Sequence, residues 1–251
     1  MLETLASLDP NCLNVKLVAE LVSWYIGGGA KEHVEGEGAV IIFLSGTREI
    51  DDVISKVLSL PALRGDPKQA EWVLPLHGSL APDEQKKVFA KPPPGITKVV
   101  VATNVAETSI TIDDVNFVID SARVKLLSYD NARRVASLDD VLISQAAAKQ
   151  RRGRAGRVRP GLCVHLHTSD AALSQYTEPE VRRVPLEQLI MRIKSLRLPG
   201  LAGEICAELP EPPAPAAVTA SVAELEGLGA IDAAEQLTPL GQLLATLPID
   251  P

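Results

Sequence analysis

The sequence predicts an α/β protein, a parallel sheet covered by helices and followed by a small, mostly helical segment. Three observations carry this expectation. Short apolar runs recur between turn formers: GAVIIFLSG (38–46), EWVLPLHG (71–78), TKVVVAT (97–103), VNFVIDS (115–121) and GLCVHLHT (161–168). Short runs that are nearly all apolar suit strands buried on both faces. Helical periodicity lies between several of them, and a strand, helix, strand order is that of a doubly wound lobe. The composition then changes near residue 180: residues 201–251 contain no Lys or Arg but eight Asp or Glu, which marks a second domain.

The elements follow in order. After the first run, Ile50, Val53, Ile54, Val57 and Leu58 form one apolar stripe behind Thr47, which is placed as the helix cap. After the second, Pro82 opens PDEQKKVF, acids leading and lysines following, as the helix dipole favours. Between Arg123 and Ser137, RVKLLSYDNARRVAS reads as two short strands around Asp130-Asn131. SQAAAKQRRGRAGR (144–157) is alanine-rich with Ser144 as its cap, which predicts a helix despite Gly153 and Gly156. Beyond residue 180, Leu186, Leu189, Ile190, Ile193 and Leu196 make one helical stripe, and Val218, Val222, Leu225 and Leu228 a second. Thr238-Pro239 starts a third through Leu240, Leu243, Leu244 and Leu247. The expected division is 1–180 and 181–251, the second part incomplete.

Charge and composition exclude several classes. With 251 residues and 46% apolar composition the chain can bury one good core and a small second one. A net charge of −7 argues against a surface that coats nucleic acid everywhere, so any polyanion site is local. Cys12, Cys163 and Cys206 are far apart, without a CxxC, and His165 and His167 are the sole close histidine pair; no metal site is readable. No apolar run approaches the roughly 20 residues of a membrane span, and no leader pattern opens the chain. A soluble, intracellular protein is expected.

The positive charge concentrates at QRRGRAGR (150–157). On a continuous helix Gln150, Arg154 and Arg157 would stand at i, i+4 and i+7, so one face would present an amide and two guanidinium forks. Arg151, Arg152 and Arg159 would point elsewhere. Such a face suits a polyphosphate, against the simpler alternative of a solvated basic helix.

Other stretches bear on that choice. ATNVAETSITID follows a buried strand, where open α/β sheets bind ligands. With QRRGRAGR it resembles the second RecA-like lobe of a DEAH-box RNA helicase. VIIFLSGTREI is similar to the family's motif IV, LPLHGSLAPDEQKKVF to the segment after it, ATNVAETSITID to motif V and QRRGRAGR to motif VI. PPAP and LTPLGQLLATLPIDP resemble the opening of the family's winged-helix domain, and the 123–137 stretch its projecting β-hairpin. The resemblance implies that Gln150, Arg154 and Arg157 face the γ-phosphate of ATP, the arginines stabilising charge in phosphoryl transfer. It places Phe89 on the nucleotide base, with core packing as the alternative, and Asp113 near the ribose or metal, with turn stabilisation as the alternative. Asp114 stands where many relatives carry glycine. The resemblance also puts Ser45, Gly46, His77, Gly78, Ser79, Thr103 and Asn104 near an RNA backbone, all at predicted strand ends. Residues 123–159 hold ten Lys or Arg against three Asp, an electrostatic track that brings in Arg133 and Arg134.

A G-x-x-x-x-G-K-[ST] phosphate loop and a D-E-A-H tetrapeptide are not in this sequence; in GGGAKEH (27–33) Lys31 is followed by Glu32. The expectation is therefore a motor's second lobe, a fragment inactive alone, which takes ATP, Mg²⁺ and single-stranded RNA together with a first lobe in cis or in trans. A non-catalytic RNA- or helicase-binding module of the same fold is the alternative.

Overall fold

A computed structural model describes residues 12–247 apart from 35, 109, 131–134 and 158. In chain order its elements are α1 (Val15–Ile26), β1 (Ala39–Phe43), α2 (Thr47–Leu58), α3 (Pro61–Arg64), α4 (Pro67–Ala70), β2 (Val73–Leu76), α5 (Pro82–Lys86), β3 (Val99–Ala102), α6 (Val105–Thr108), β4 (Val115–Asp120), β5 (Arg123–Asp130), β6 (Val135–Leu142), α7 (Gln145–Arg152), β7 (Leu162–His165), α8 (Glu187–Ser195), α9 (Ala202–Ala207), α10 (Pro215–Gly227) and α11 (Pro239–Leu244). They fall into two compact units: one runs through Leu126 and takes in Asp140–Thr177, and the other takes in Leu127–Asp139 and the chain from Glu178 on.

The first unit is the expected parallel sheet. Its order is β2-β3-β1-β4-β7, and all four pairings are parallel. β1 shows why the strand runs are nearly all apolar. Val40 and Ile42 face a core shared with α1 and α2, whereas Ala39, Ile41 and Phe43 face one shared with Val88, Ala106, Ile112 and Ala155. Pro75 is tolerated because β2 is an edge strand. Register pairs Leu76 and Phe43 with Ala102, Phe43 also with Asp120, and Asp120 with His165. One row of residues thus crosses the carboxyl end of the sheet, and the candidate site residues follow it.

Several local expectations are corrected. Gly46, not Thr47, is the cap residue of α2, and Thr47 is its first helical residue. The 123–137 strands form a two-stranded sheet of their own, as expected, but the second continues to Leu142. The Lys87–Phe89 turn after α5 is a 3₁₀ helix. α7 starts at the Ser144 cap, whose hydroxyl accepts the Ala147 N–H at 3.2 Å, yet it ends at Arg152 with Gly153 as its C-cap. The two glycines hold too little helix propensity to carry α7 on to Arg157.

The second unit packs α8, α9 and α10 around Ile190, Met191, Ala202, Cys206, Val218 and Leu225. A buried pair, Lys194 with Glu235 at 2.7 Å, ties it together; Glu235 also accepts the Ala202 N–H at 2.7 Å. Glu235 sits at φ 54°, and these partners hold it in that left-handed conformation. The third stripe is shorter than its pattern implies: α11 is six residues long, and Leu240 and Leu243 are 46% and 59% exposed. Among the described residues no helix is long and apolar enough to cross a membrane.

Gly161 brings β7 against the turn that follows α7. A Cβ there would lie 2.1 Å from the Ala155 carbonyl oxygen and 2.5 Å from that of Asn116, and both are backbone atoms that cannot swing aside. Gly161→Ala is therefore expected to cost about 2 kcal/mol or more and to lower the melting temperature by roughly 4–8 °C. Thermal unfolding monitored by circular dichroism checks this.

Candidate functional site

The site is built on the carboxyl ends of the strands and on the residues that follow β3. Asp120 closes β4, whose other residues apart from Asn116 are apolar, and is fully buried. A carboxylate there needs partners. It accepts from Arg151 Nη1 at 2.8 Å and from the Ala122 N–H at 2.9 Å, and His165 Nδ1 lies 3.0 Å from its other oxygen. The Ala122 bond holds a non-glycine residue at φ 59°, where β4 gives way to β5. Burial raises the Asp120 pKa, but the His165 hydrogen bond and the Arg151 charge outweigh it and hold the carboxyl below its ordinary value. An ionised carboxylate only accepts, so His165 Nδ1 carries the proton. His165 Nε2 then faces Cys163 Sγ at 3.6 Å. Burial, with the Asp120 charge nearby, pushes the Cys163 thiol up to about 12, which keeps it protonated and unreactive.

Arg151, expected to point away from the site, is the cation at its centre. Its side chain is 0% exposed, its Nε donates to Glu107 at 3.0 Å, and its guanidinium lies 5.1 Å over the Phe43 ring. Glu107 belongs to α6, the short helix in ATNVAETSITID. One arginine thus joins α7 to the end of β4 and to the residues that follow β3.

Arg154 and Arg157 stand beyond the end of α7, so with Gln150 they do not share a helical face. The two arginines converge instead on Glu107, Ile110 and Thr111. Arg154 is 7% exposed and donates through Nη1 to the Ile110 carbonyl at 2.8 Å and through Nη2 to the Glu107 carbonyl. Arg157 is exposed and donates to Thr111 Oγ1 at 2.6 Å. Gln150 is exposed on the last turn of α7. Burial pulls the Arg154 pKa down, the neighbouring Arg157 charge adds to this, and Glu107 opposes it.

Phe89 is 51% exposed, which rules out core packing. Asp113 is exposed in the turn before β4, next to Asp114, which pairs with the buried Lys98 at 2.9 Å. Ser45 and Gly46 follow β1, His77, Gly78 and Ser79 follow β2, and Thr103 and Asn104 follow β3, three neighbouring strands. Gly78, Ser79 and Asn104 are exposed; Ser45, His77 and Thr103 are half-buried, and Gly46 is buried at the α2 cap. The Ser45 hydroxyl donates to Asp140 at 3.0 Å. Arg133 and Arg134 lie outside the described residues.

The basic track is weaker than its formal count. Arg123 pairs with Asp140 at 2.8 Å, Lys125 with Glu49 at 3.0 Å, and Arg151 is consumed inside the fold. Sequence reasoning missed the role of Arg151; a lone aspartate ending a nearly all-apolar strand was the signal that a buried cation must meet it. Among the described residues no group of three or more His, Cys, Asp or Glu could hold a metal ion.

Comparison with known proteins agrees with this architecture. The helicase conserved C-terminal domain family matches residues 16–159, and the winged-helix helicase associated domain (HA2) matches 221–249. The chain belongs to the helicase conserved C-terminal domain family, as the second RecA-like lobe of its DEAH-box branch. It is 42% identical over 255 residues to the human putative ATP-dependent RNA helicase DHX57, covering 100% of this chain and 18% of that protein. It is 39% identical over 252 residues to the ATP-dependent DNA/RNA helicase DHX36 of Rattus norvegicus, covering 100% and 24%. The crystal structure of the Escherichia coli DEAH/RHA helicase HrpB matches with a TM-score of 0.69 and 31% identity, over 90% of this chain and 28% of that one. The chain thus spans about a fifth of the length of the curated relatives it matches.

The Arg151–Asp120 pair makes a pH-resolved prediction. Asp120→Asn leaves a buried guanidinium short of its counter-charge, at an expected cost of about 3–5 kcal/mol at neutral pH. The folded-state pKa of Asp120 lies below its ordinary 3.8, so the carboxylate's contribution is present above that value and is lost as pH falls through the folded one. Urea unfolding of both proteins should show a wild-type advantage that is constant between about pH 5 and 7 and shrinks below 3.8. An advantage independent of pH into the acid range would contradict the pairing.

Proposed function

We propose that this chain is the second motor lobe of an ATP-dependent RNA helicase, followed by the opening of a winged-helix domain, with the boundary near residue 180. In this reading Arg154, Arg157 and Gln150 supply the phosphate-facing groups, Phe89 and Asp113 the base and ribose contacts, and the ends of β1, β2 and β3 the RNA-backbone contacts. Arg133 and Arg134 are assigned RNA contacts as well. A first lobe, in cis or in trans, supplies the phosphate loop and the Mg²⁺ ligands.

The observation that carries the reading is a single hydrogen-bonded line through the residues that follow β3. Arg151 holds Glu107, Arg154 holds the Glu107 and Ile110 carbonyls, Arg157 holds Thr111, and Lys98 holds Asp114 beside Asp113. Thr103 and Asn104 begin the same segment. Residues assigned to nucleotide and to RNA therefore share one support, as a device that converts hydrolysis into movement along a strand requires.

The residues present fit the outer phosphate and the base of a nucleotide. Arg157, Gln150 and Phe89 are exposed, and the Arg154 fork is oriented by two carbonyls before any anion arrives. ATP with Mg²⁺ supplies the transferable phosphoryl group when bound between two lobes. Arg154 and Arg157 then stabilise charge that develops in the transition state, a contribution typical of fingers worth about 10³–10⁵ in rate. Strand-end hydroxyls and amides hold phosphates of a single strand without reading its sequence.

The test uses the protein that carries both lobes. Arg154→Ala and Arg154→Lys should each lower ATP turnover by about 10²-fold or more, since lysine keeps the charge but loses the planar fork. RNA affinity without nucleotide should change little, whereas Thr103→Val should weaken RNA binding and spare basal hydrolysis. Loss of RNA binding with basal hydrolysis intact in Arg154→Ala would move that arginine to the nucleic-acid surface and overturn its assignment.

A further inference from the structure

Lys98 is a lysine with 1% of its side chain exposed, in the residue just before β3. A buried ammonium survives only where its donors are met. Here three acceptors meet them: the Val88 carbonyl at 2.7 Å, the Ala90 carbonyl at 2.9 Å and the Asp114 carboxylate at 2.9 Å. The two carbonyls flank Phe89 on either side, and Asp114 adjoins Asp113. One ammonium therefore grips the backbone around the exposed aromatic and the turn that carries the exposed carboxylate. Its own backbone is fixed from the other direction, because the buried Gln69 side chain donates to the Thr97 carbonyl at 2.6 Å and accepts the Thr97 N–H at 2.8 Å.

The chemistry of the three acceptors distinguishes this from ordinary core stabilisation. The 3₁₀ turn at Lys87–Phe89 is followed by Ala90 in extended conformation and by the proline run 92–94, so the backbone carbonyls there have few internal partners. With Val88 buried beneath it and Phe89 half in solvent, the ring's direction depends on what holds the carbonyls either side. The Val88 and Ala90 contacts come from a single charged atom whose third partner is a carboxylate on another loop.

We propose that Lys98 is a positioning residue, which fixes the Phe89 ring and the Asp113–Asp114 turn relative to each other as the two walls of a nucleoside pocket. The proposal deepens the nucleotide-binding reading above and rests on it. Phe89 touches the base, and Lys98 acts only through Phe89 and the turn. The pair with Asp114 neutralises the buried ammonium, so Lys98 offers a ligand no charge of its own, while Phe89 offers an aromatic face and Asp113 a carboxylate. That suits a neutral nucleobase and a ribose, and leaves the phosphates to Arg154 and Arg157.

The chain holds three phenylalanines, two of them, Phe43 and Phe117, fully buried, so fluorophenylalanine labelling gives a local reporter. In ¹⁹F spectra of the chain, Lys98→Met should move the Phe89 signal toward its position in an unstructured peptide and leave the Phe43 signal in place; Asp114→Asn should move it less, in the same direction. Should Lys98→Met not fold, Asp114→Asn and Lys98→Arg decide the matter. A Phe89 signal unmoved in every folded variant overturns the proposal.

The second arm uses the protein with both lobes. Phe89→Ala should raise the KM for ATP about 3–10-fold, Lys98→Met by a similar factor with kcat little changed, and the double variant no further. Inhibition by inorganic tripolyphosphate, which has no base, should be the same in all of them. If the Lys98→Met effect persists undiminished on top of Phe89→Ala, Lys98 does not act through the ring and the proposal fails. If Phe89→Ala leaves KM unchanged, base stacking fails as a reading, and the fluorine signals still decide whether Lys98 positions the ring.

Discussion

Everything at the carboxyl end of this sheet depends on one buried cation. Arg151 has no exposed surface, and its charge is met by Asp120 at 2.8 Å, Glu107 at 3.0 Å and the Phe43 ring. Removing two charges together from a protein interior is often harmless, but removing one strands the other. The network therefore behaves as a unit: Asp120 also orders the Ala122 turn and His165, and Glu107 starts the segment on which Arg154 and Arg157 rest. Among the described residues Arg151 Nη2 has no hydrogen-bond partner, and the aromatic face beneath the guanidinium offsets part of that loss.

This explains how one short, glycine-punctuated motif does two jobs. Its first arginine, Arg151, is consumed inside the fold, Arg154 is held on backbone carbonyls and Arg157 is exposed, and the change happens at the end of α7. Had the helix continued through Gly153, Arg154 would have followed the helical surface. Instead the chain turns, with Ala155 buried under the sheet and Gly161 pressed on its carbonyl, and Arg154 is carried onto the Glu107 and Ile110 carbonyls. A loop held at both flanks by arginines supports precise side-chain placement better than an exposed helix would.

Much of this was legible in the amino acids. The five strands followed from runs that are nearly all apolar, since a strand covered on both faces leaves few polar positions. Ser144 and Pro82 marked helix starts correctly because capping and proline chemistry are local. Thr47 did not, because Gly46 in extended conformation already fills the cap position. The common face of Gln150, Arg154 and Arg157 failed because it extrapolated a period across two glycines. The role of Arg151 was hidden for a different reason: whether a charge in a basic run is solvated or buried depends on partners that lie 31 and 44 residues away in sequence. The α11 leucines show the converse, since an apolar stripe predicts burial only where another surface is present to cover it.

The central claim is that Arg151 couples the end of α7 to the residues that follow β3, so that Arg154, Arg157 and their backbone support are ordered together. Hydrogen exchange of Arg151→Lys against wild type measures this directly, since lysine keeps the charge but loses the planar fork that meets the carboxylates at fixed spacing and stacks on the Phe43 ring. The account predicts faster exchange in peptides carrying Glu107 and in peptides carrying Arg154, by similar factors, with the β1 and β3 peptides still protected. Faster exchange confined to the end of α7, with Glu107 peptides unchanged, would contradict it.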